Sequence, residues 1–299
     1  MAKVTQSLIF LTLCWYIRNM VILAKSIRNR LKNKVVVITG ASSGIGYALA
    51  VEYASKGARL VVAARNAAKL SKIGDELRLS GTEVLEVITD VSHEAECKSL
   101  IEQALSKFGT IDILINNAGI SMRALFSDMN LDVMRQLMDV NFWGTVYCTK
   151  YALPYLLKSR GSVVGVISIA GYIGLPGRSG YSASKYAIRG FLDTLRTENL
   201  KTGLHVLVVA PGFTASNIRN VALTADGSAQ GETPRDEAEM MPASKVAVYI
   251  RKAVEKRRRT LILTFTEGKL TVFLNKFVPS LIDKLAYNHM AKEPNSPFK

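Results

Sequence analysis

The chain has 299 residues, a formal net charge of +15 and apolar side chains at 48% of its positions. That is enough apolar material to bury the core of one large domain. Three cysteines and three histidines, all widely separated, give neither the spacing of a disulfide framework nor that of a metal site. We therefore expect no metal ion, and a reducing compartment.

The charge lies at the two ends of the chain. Residues 1–34 carry seven Lys/Arg and no acid, and residues 243–299 carry twelve Lys/Arg and four acids. The residues between these ends carry as many acids as bases. Because the central part is neutral, a role in nucleic-acid binding is not expected.

The amino-terminal end is apolar as well as basic. Residues 7–24 are mostly apolar, with Arg18 as the main interruption, and a basic flank follows over 25–34. This length is marginal for crossing a bilayer. We predict an uncleaved anchor in the membrane, with the positive flank and the rest of the chain in the cytosol. The alternative is a helix packed on the protein or on a second copy, in a soluble cytoplasmic protein.

Strand-like and helix-like segments alternate from residue 35 onward. Strands are predicted over 35–39, 59–63, 84–89, 111–116, 162–168, 204–210 and 260–264. Helices are predicted over 44–57, 67–79, 93–108, 130–158, 180–202 and 243–257. This alternation predicts an α/β fold, a Rossmann-like, doubly wound parallel sheet of seven strands with helices on both faces. The functional site is then expected beyond the carboxyl ends of the strands, where the strand order reverses.

A glycine-rich turn joins the first predicted strand to the first helix. The run GASSGIG occupies residues 40–46. Gly40 permits a tight turn, and Gly44 and Gly46 let backbone amides and the helix N-terminus approach a pyrophosphate. We expect the intervening Ser42, Ser43 and Ile45 to contact the same nucleotide.

The end of the second strand indicates which dinucleotide is used. NAD enzymes usually place an acid there for the ribose 2′-hydroxyl, whereas this chain has Arg65 and no acid beside it in the sequence. A guanidinium suits a 2′-phosphate, so we predict NADP(H), with a further hydrogen bond from Ser42. The alternative is a solvated arginine that begins a helix.

A tyrosine and a lysine follow at helical spacing. Tyr181 and Lys185 are four residues apart and share one helix face. A nearby ammonium is expected to lower the pKa of the phenol, which suits proton transfer in a carbonyl/alcohol interconversion. Ser168, 13 residues before Tyr181, is placed to hold the substrate oxygen. The Tyr/Lys pair alone would also fit a helix with no catalytic role.

These motifs together resemble the short-chain dehydrogenase/reductase family over residues 33–265. The matching runs are the glycine turn from Thr39, NNAG at 116–119, DVNFWGT from Asp139, the Ser168/Tyr181/Lys185 set, and PG at 211–212. The resemblance implies catalytic roles for four residues: Asn141, which holds a relay water, and Ser168, Tyr181 and Lys185. It implies further cofactor contacts from Asp90, Val91, Asn117, Ala118, Gly119, Tyr181, Lys185, Pro211, Gly212 and Thr214.

The family resemblance also implies an activity. The runs at 173–181 and 222–228 are similar to the membrane-associated dehydrogenase/reductase member 7/7B subgroup, and the run at 181–190 to 3-ketodihydrosphingosine reductases. This implies an NADPH-dependent reductase that converts a lipid-like ketone, either an acyl/alkyl-dihydroxyacetone phosphate or a 3-ketosphinganine, to an alcohol. The alternatives are a hydroxysteroid-type or broad-specificity carbonyl dehydrogenase and, less in keeping with the intact motifs, a non-catalytic NADP-binding regulator. Family members usually form homodimers or homotetramers through the helices near 130–158 and 180–202.

Three segments are predicted. Residues 1–32 form the anchor, residues 33–265 the catalytic domain, and residues 266–299 a helical extension that Pro279 interrupts. Within the catalytic domain, residues 213–242 form a substrate loop long enough to act as a lid. Its predicted apolar lining is Ile218, Val221 and Leu223, which would equally fit a short helix packed on the core.

Overall fold

The computed structural model describes residues 30–233 and 240–298. Seven parallel strands form one sheet in the order β3-β2-β1-β4-β5-β6-β7. They are β1 (Val35–Thr39), β2 (Arg59–Ala64), β3 (Val84–Ile88), β4 (Ile113–Asn116), β5 (Ser162–Val166), β6 (His205–Ala210) and β7 (Thr260–Ile262). The order reverses between β1 and β4, as predicted for a doubly wound sheet.

Helices cover both faces of the sheet. They are α1 (Gly44–Ala54), α2 (Ala67–Leu79), α3 (Glu94–Phe108), α4 (Leu131–Leu137), α5 (Gly144–Ser159), α6 (Ser179–Glu198), α7 (Ala243–Glu255), α8 (Thr271–Leu274) and α9 (Pro279–Ala291). Side chains on alternate positions of the strands feed two separate cores. One core packs under α3, α5 and α6, and the other under α1, α2 and α7. The Val- and Ile-rich strands are therefore buried on both faces, as expected for a parallel sheet.

The predicted helix over 130–158 consists of three pieces. A π-helical turn, Met138–Trp143, separates α4 from α5. Asn141 lies in this turn and is fully buried. Its side-chain amide donates to the Ile120 carbonyl and accepts from the Ile120 amide, in the loop after β4. Widened turns of this kind are frequent at functional sites. The sequence around Asn141 shows no change of periodicity that would have predicted one.

The amino edge of the sheet is closed by polar contacts. Asp112, just before β4, accepts hydrogen bonds from the Lys34 ammonium at 2.7 Å and from the Val35 amide at 2.9 Å. Arg257 donates to the carbonyl oxygens of Arg160 and Gly203. The basic run 256–259 therefore ties together loops at the edge opposite the predicted site.

Leu31 belongs to the folded domain, since it is buried in the core beside α1. The predicted anchor therefore overlaps the domain at its last residues. The rest of that segment, residues 1–29, lies outside the described residues. Within the described ranges, no helix combines the length and the apolar character needed to cross a bilayer.

The carboxyl-terminal extension is helical, as predicted. A π-helical turn, Phe265–Leu270, leads into α8, and α9 begins at Pro279 as its first residue. Beyond α9, Glu293 is 6% exposed and lies 3.5 Å from the Arg123 guanidinium and 3.9 Å from that of Arg178. Arg123 also donates to the Pro294 carbonyl at 2.6 Å. A buried charge cluster thus fixes the end of the chain against the main domain.

We expect Glu293→Ala to detach this extension. Both arginines are less than 10% exposed, and removing one partner of a buried ion pair typically costs about 3–5 kcal/mol. Hydrogen exchange of the α9 amides should become faster by about a hundredfold or more. Asp283→Ala, on an exposed position of the same helix, is the control and should leave exchange nearly unchanged. Equal exchange rates in the two variants would contradict the role assigned to Glu293.

Candidate active site

Two adjoining depressions lie at the carboxyl edge of the sheet, where β1 and β4 are neighbours. A groove of about 280 Å³ runs over the glycine turn and the ends of β2 and β3. A cavity of about 450 Å³ lies beside it under the carboxyl-terminal extension. Both are lined by Ile45, Asn117 and Gly119. This is the location expected for a bound dinucleotide and its substrate.

The glycine turn is held by very close backbone contacts. Gly40 and Gly44 have φ values of +64° and +54°, a conformation that side chains other than glycine rarely adopt. A Cβ atom on Gly46 would lie 2.1 Å from the Gly40 carbonyl oxygen. Ser43 caps α1 without a side-chain hydrogen bond, and Ser43, Gly44 and Ile45 line the groove, so the N-terminus of this helix lies at the groove.

Asn117 supports this turn from the neighbouring strand. Its side-chain amide donates to the carbonyl oxygens of Thr39 at 3.0 Å and Gly40 at 3.2 Å. The Thr39 hydroxyl in turn accepts from the amides of Asn117 and Ala118, both at 3.1 Å. The NNAG segment therefore fixes the shape of the groove as well as lining it.

The far end of the groove holds an arginine and an acid. The Arg65 side chain is 61% exposed, and one of its guanidinium nitrogens lies 3.7 Å from an oxygen of Asp90. The sequence shows no acid beside Arg65, but the fold brings one there from the end of β3. Burial opposes ionisation of Asp90, yet hydrogen bonds from Ser92 and the Arg65 charge hold its pKa below the usual value. Val91 follows, packed against Gly144 of α5.

Ser168, Tyr181 and Lys185 meet at the cavity wall. Tyr181 and Lys185 lie one turn apart on α6, as predicted, and the ammonium is 5.6 Å from the centre of the phenol ring. The Lys185 ammonium donates to the Val166 carbonyl at 3.2 Å. Ser168, two residues beyond β5, is close enough to Tyr181 to lower the pKa of its hydroxyl, and its own hydroxyl accepts from the Ala170 amide at 3.2 Å.

Asn141 lies behind this trio. Its side-chain nitrogen donates to the Ile120 carbonyl at 3.0 Å and the Ser184 hydroxyl at 2.9 Å. A Cβ atom on Gly119 would be 3.1 Å from the Asn141 carbonyl oxygen and 3.2 Å from the Lys185 ammonium. Gly119 therefore separates the two side chains. Both N–H donors of Asn141 are thus used within the protein, and its role in holding a relay water stays a prediction.

The ionisation of the pair differs from the sequence expectation. Burial raises the pKa of Tyr181, against the hydrogen bond from Ser168 and the charges of Arg178 and Arg219, which lower it. Burial also lowers the pKa of Lys185 to about 8. The prediction that Lys185 brings the phenol toward neutral ionisation is wrong for this structure. Desolvation disfavours both charged forms, and it is the largest influence on the pKa of each group.

The substrate loop meets its prediction only in part, and its residues 234–239 lie outside the described residues. Ile218 lines both the cavity and the groove. Val221 lines only the groove, and it is 44% exposed. Leu223 is buried in the core, with its amide bonded to the Ser121 carbonyl at 2.9 Å. Of the remaining predicted contacts, Pro211, Gly212 and Thr214 line the cavity, and Ser42 lines the groove.

The sequence analysis missed most of the cavity wall. Arg178 and Arg219 line it, both less than 10% exposed. The carboxyl-terminal extension contributes Ile282, Leu285, Ala286, His289 and Met290. The apolar character of the extension was the sequence signal for this contact. Arg178 lies in the run 173–181, but nothing in that run indicates an arginine that faces the cavity.

Comparison with known proteins gives consistent similarities. The short chain dehydrogenase family model matches residues 34–226. Dehydrogenase/reductase SDR family member 7B of Mus musculus is 36% identical over 271 residues, covering 89% of this chain and 84% of the relative. 11-beta-hydroxysteroid dehydrogenase A of Arachis hypogaea is 40% identical, covering 77% and 65%.

A solved structure shares the fold. A short chain dehydrogenase/reductase of Burkholderia phymatum in complex with NAD superimposes with a TM-score of 0.75 at 27% identity, covering 84% of this chain and 95% of that one. An alcohol dehydrogenase of Thermococcus sibiricus complexed with 5-hydroxy-NADP gives a TM-score of 0.68 at 27% identity, covering 78% and 95%. Both kinds of nicotinamide dinucleotide thus occur among similar structures.

Lys185→Met tests whether burying the charged Lys185 ammonium lowers the unfolding free energy. The folded-state pKa of about 8 lies below the ordinary lysine pKa of 10.5, so the unfolded chain binds more protons between these pH values. The unfolding free energy of the parent should therefore rise relative to the variant from pH 8 toward pH 10. At pH 7 the variant should be more stable, by roughly 3 kcal/mol at most.

Urea unfolding at several pH values measures this difference. Lys150→Met, at an exposed position of α5, is the matched control and should show no such rise. The comparison stops below pH 10 because burial raises the pKa of Tyr181, which adds an opposite dependence at higher pH. A parent-to-variant difference that is constant over this range would contradict a depressed lysine pKa.

Proposed function

The chain belongs to the short chain dehydrogenase family, and we propose that it is an NADPH-dependent reductase that converts a lipid-like ketone to a secondary alcohol. As a member of this family it is an oxidoreductase that acts on CH–OH and C=O groups with a nicotinamide dinucleotide. The observation that carries the proposal is the meeting of Ser168, Tyr181 and Lys185 where the groove joins the apolar cavity.

The groove residues fit a dinucleotide. Gly46 has no space for a Cβ, which would lie 2.1 Å from the Gly40 carbonyl oxygen, so the turn and the start of α1 stay close together. The helix N-terminus at the groove suits a pyrophosphate. Arg65 supports NADPH over NADH, because its exposed guanidinium is at the end of β2, where a ribose 2′-phosphate would bind. When NADPH binds, the Arg65 guanidinium would contact the 2′-phosphate in place of the Asp90 carboxylate.

The cavity residues fit proton transfer to a ketone oxygen. When bound, the nicotinamide supplies a hydride to the carbonyl carbon. The Ser168 hydroxyl is placed to hold the substrate oxygen, and the Tyr181 hydroxyl to protonate it. Because burial raises the pKa of Tyr181, the phenol is protonated at neutral pH and acts as an acid, which supports reduction. Lys185 is largely charged below pH 8, so it can attract the cofactor and replace the proton.

The cavity walls support an amphiphilic substrate. Ile173, Leu175, Ile282 and Leu285 provide apolar surface, while Arg178 and Arg219 are close enough to lower the pKa of Tyr181. Positive charge beside the reacting oxygen favours an anionic head group, such as a dihydroxyacetone phosphate ester. It disfavours the ammonium of a 3-ketosphinganine. A steroid is the second candidate, favoured by the similarity to the hydroxysteroid dehydrogenase of Arachis hypogaea.

Location and assembly are further parts of the proposal. The basic and apolar residues 7–34 support membrane association with the catalytic domain in the cytosol. Exposed aromatic side chains on α5 and α6, including Tyr155 and Tyr186, support pairing of these helices in a homodimer or homotetramer. A purely regulatory role would leave the arrangement of Ser168, Tyr181 and Lys185 without a purpose.

We expect Tyr181→Phe to lose about 10²–10⁴-fold in turnover while still binding NADPH, because only the proton donor is removed. NADPH oxidation should be followed with long-chain acyl-dihydroxyacetone phosphates, 3-ketosphinganine and steroid ketones. Tyr186→Phe, on an exposed position of the same helix, is the matched control and should retain activity. Activity of Tyr181→Phe within about tenfold of the parent would refute the assigned role.

Arg65→Asp should shift preference from NADPH toward NADH. Hydrogen bonds to charged groups contribute about 1.5–3 kcal/mol, so the ratio of kcat/KM values for the two cofactors should change by at least tenfold. Lys72→Asp, an exposed position on α2, makes the same charge change and should leave the ratio unaltered. A parent enzyme that prefers NADH would show that Arg65 does not select the cofactor.

A further inference from the structure

Large apolar side chains are exposed along the carboxyl-terminal extension. Eight such residues between 265 and 287 are from 37% to 72% exposed. We call this set the tail surface: Phe265, Leu270, Phe273, Phe277, Val278, Leu281, Leu285 and Tyr287. Monomeric soluble proteins seldom expose this many large apolar side chains within one short segment, so the surface is expected to have a partner.

The tail surface extends over the π-helical turn at 265–270, α8, the connection at 275–278 and α9. α8 and α9 pack together, and the Phe273 and Phe277 rings are 5.2 Å apart. The buried side of α9, with Ile282 and Met290, faces the main domain. The exposed apolar residues are therefore not needed for the packing of α9 onto the domain.

Lysines accompany the exposed apolar residues. Lys269, Lys276, Lys284 and Lys292 are all exposed, against Glu267 and Asp283. Aromatic rings and lysines together are typical of segments that lie in the interfacial layer of a bilayer, where the rings insert and the ammonium groups meet anionic lipid. A second copy of the chain would instead favour fewer lysines at the contact, because lysine is depleted in protein interfaces.

The tail surface continues into the candidate active site. Leu285 is 54% exposed and also lines the cavity. Its neighbours Ile282 and Met290 lie inside, and Ala286 and His289 complete this wall. An apolar path thus leads from the outer surface of α9 to the cavity that contains Tyr181.

We propose that the tail surface binds an anionic lipid bilayer and that the substrate reaches the cavity from the lipid past Leu285. The lipid-binding part stands on the exposed residues alone. The access part rests on the proposed function, since it requires a lipid-like ketone.

Hydrogen exchange of the full chain tests the lipid-binding part locally. The protein is reconstituted into phosphatidylcholine vesicles with and without phosphatidylserine, at two protein-to-lipid ratios. Peptides within 265–291 should exchange at least tenfold more slowly with phosphatidylserine present. The segment around Leu200, which is 75% exposed near the start of β6 at the opposite edge, should not change. This local readout does not depend on how residues 1–29 bind.

Two variants sharpen this experiment. Phe273→Ser/Phe277→Ser should abolish the slowing, whereas Leu200→Ser should not, and both remove exposed side chains only. An identical exchange rate in both kinds of vesicle would overturn the lipid-binding part. Slowing that depends on the protein-to-lipid ratio and not on phosphatidylserine would also overturn it, and would assign the surface to a second copy.

Turnover in the same vesicles tests substrate access. The double phenylalanine variant should lose about tenfold in activity on a vesicle-borne long-chain ketone, and keep its activity on a water-soluble short-chain ketone with the same head group. Equal loss on both ketones would overturn access from the lipid. A parent that reduces neither ketone would refute the proposed function, while the exchange result would still decide the lipid-binding part.

Discussion

The close approach of the glycine turn to β4 is the constraint on which the site depends. The Gly40 carbonyl lies where a Cβ of Gly46 would be, and the Asn117 side chain bonds the end of β1 from the neighbouring strand. This contact is made where the strand order reverses. It leaves the start of α1 open to the groove and brings Gly119 between Asn141 and Lys185. The groove and the cavity wall with Tyr181 and Lys185 are therefore parts of one backbone arrangement.

Burial decides the electrostatics of the site. Tyr181 and Lys185 both lie in a desolvated wall, and burial favours the neutral form of each. The pKa of Tyr181 is therefore raised and the pKa of Lys185 is lowered. The positive charge that acts on Tyr181 comes from Arg178 and Arg219. Arg178 in turn contacts Glu293 at the end of the chain. The carboxyl-terminal extension is thus linked electrostatically to Tyr181, and it also forms part of the cavity wall beside that residue.

The two edges of the sheet carry different surfaces. The basic run 256–259 lies at the amino edge, where Arg257 bonds the carbonyl oxygens of two loops. The apolar extension lies over the carboxyl edge, beside the cavity. The basic run and the extension are adjacent in the sequence. In the structure they lie at opposite edges of the sheet, because β7 runs from one edge to the other between them. Only the extension is next to the cavity. The positive charge of the extension comes from four lysines spaced along 269–292.

The sequence by itself determined the fold and predicted the set of Ser168, Tyr181 and Lys185, which the structure brings to one cavity wall. Runs such as VVVIT at β1 are buried on both faces, and the spacing of Tyr181 and Lys185 needs only one helical turn, so local pattern was sufficient for both. Contacts between distant segments were decided by the tertiary structure. Asp90 beside Arg65, the π-helical turn at Asn141, Glu293 between two arginines and the position of Leu223 all depend on packing across the sheet. The pKa direction of Tyr181 likewise depends on how deeply the wall is buried, which no spacing along the chain encodes.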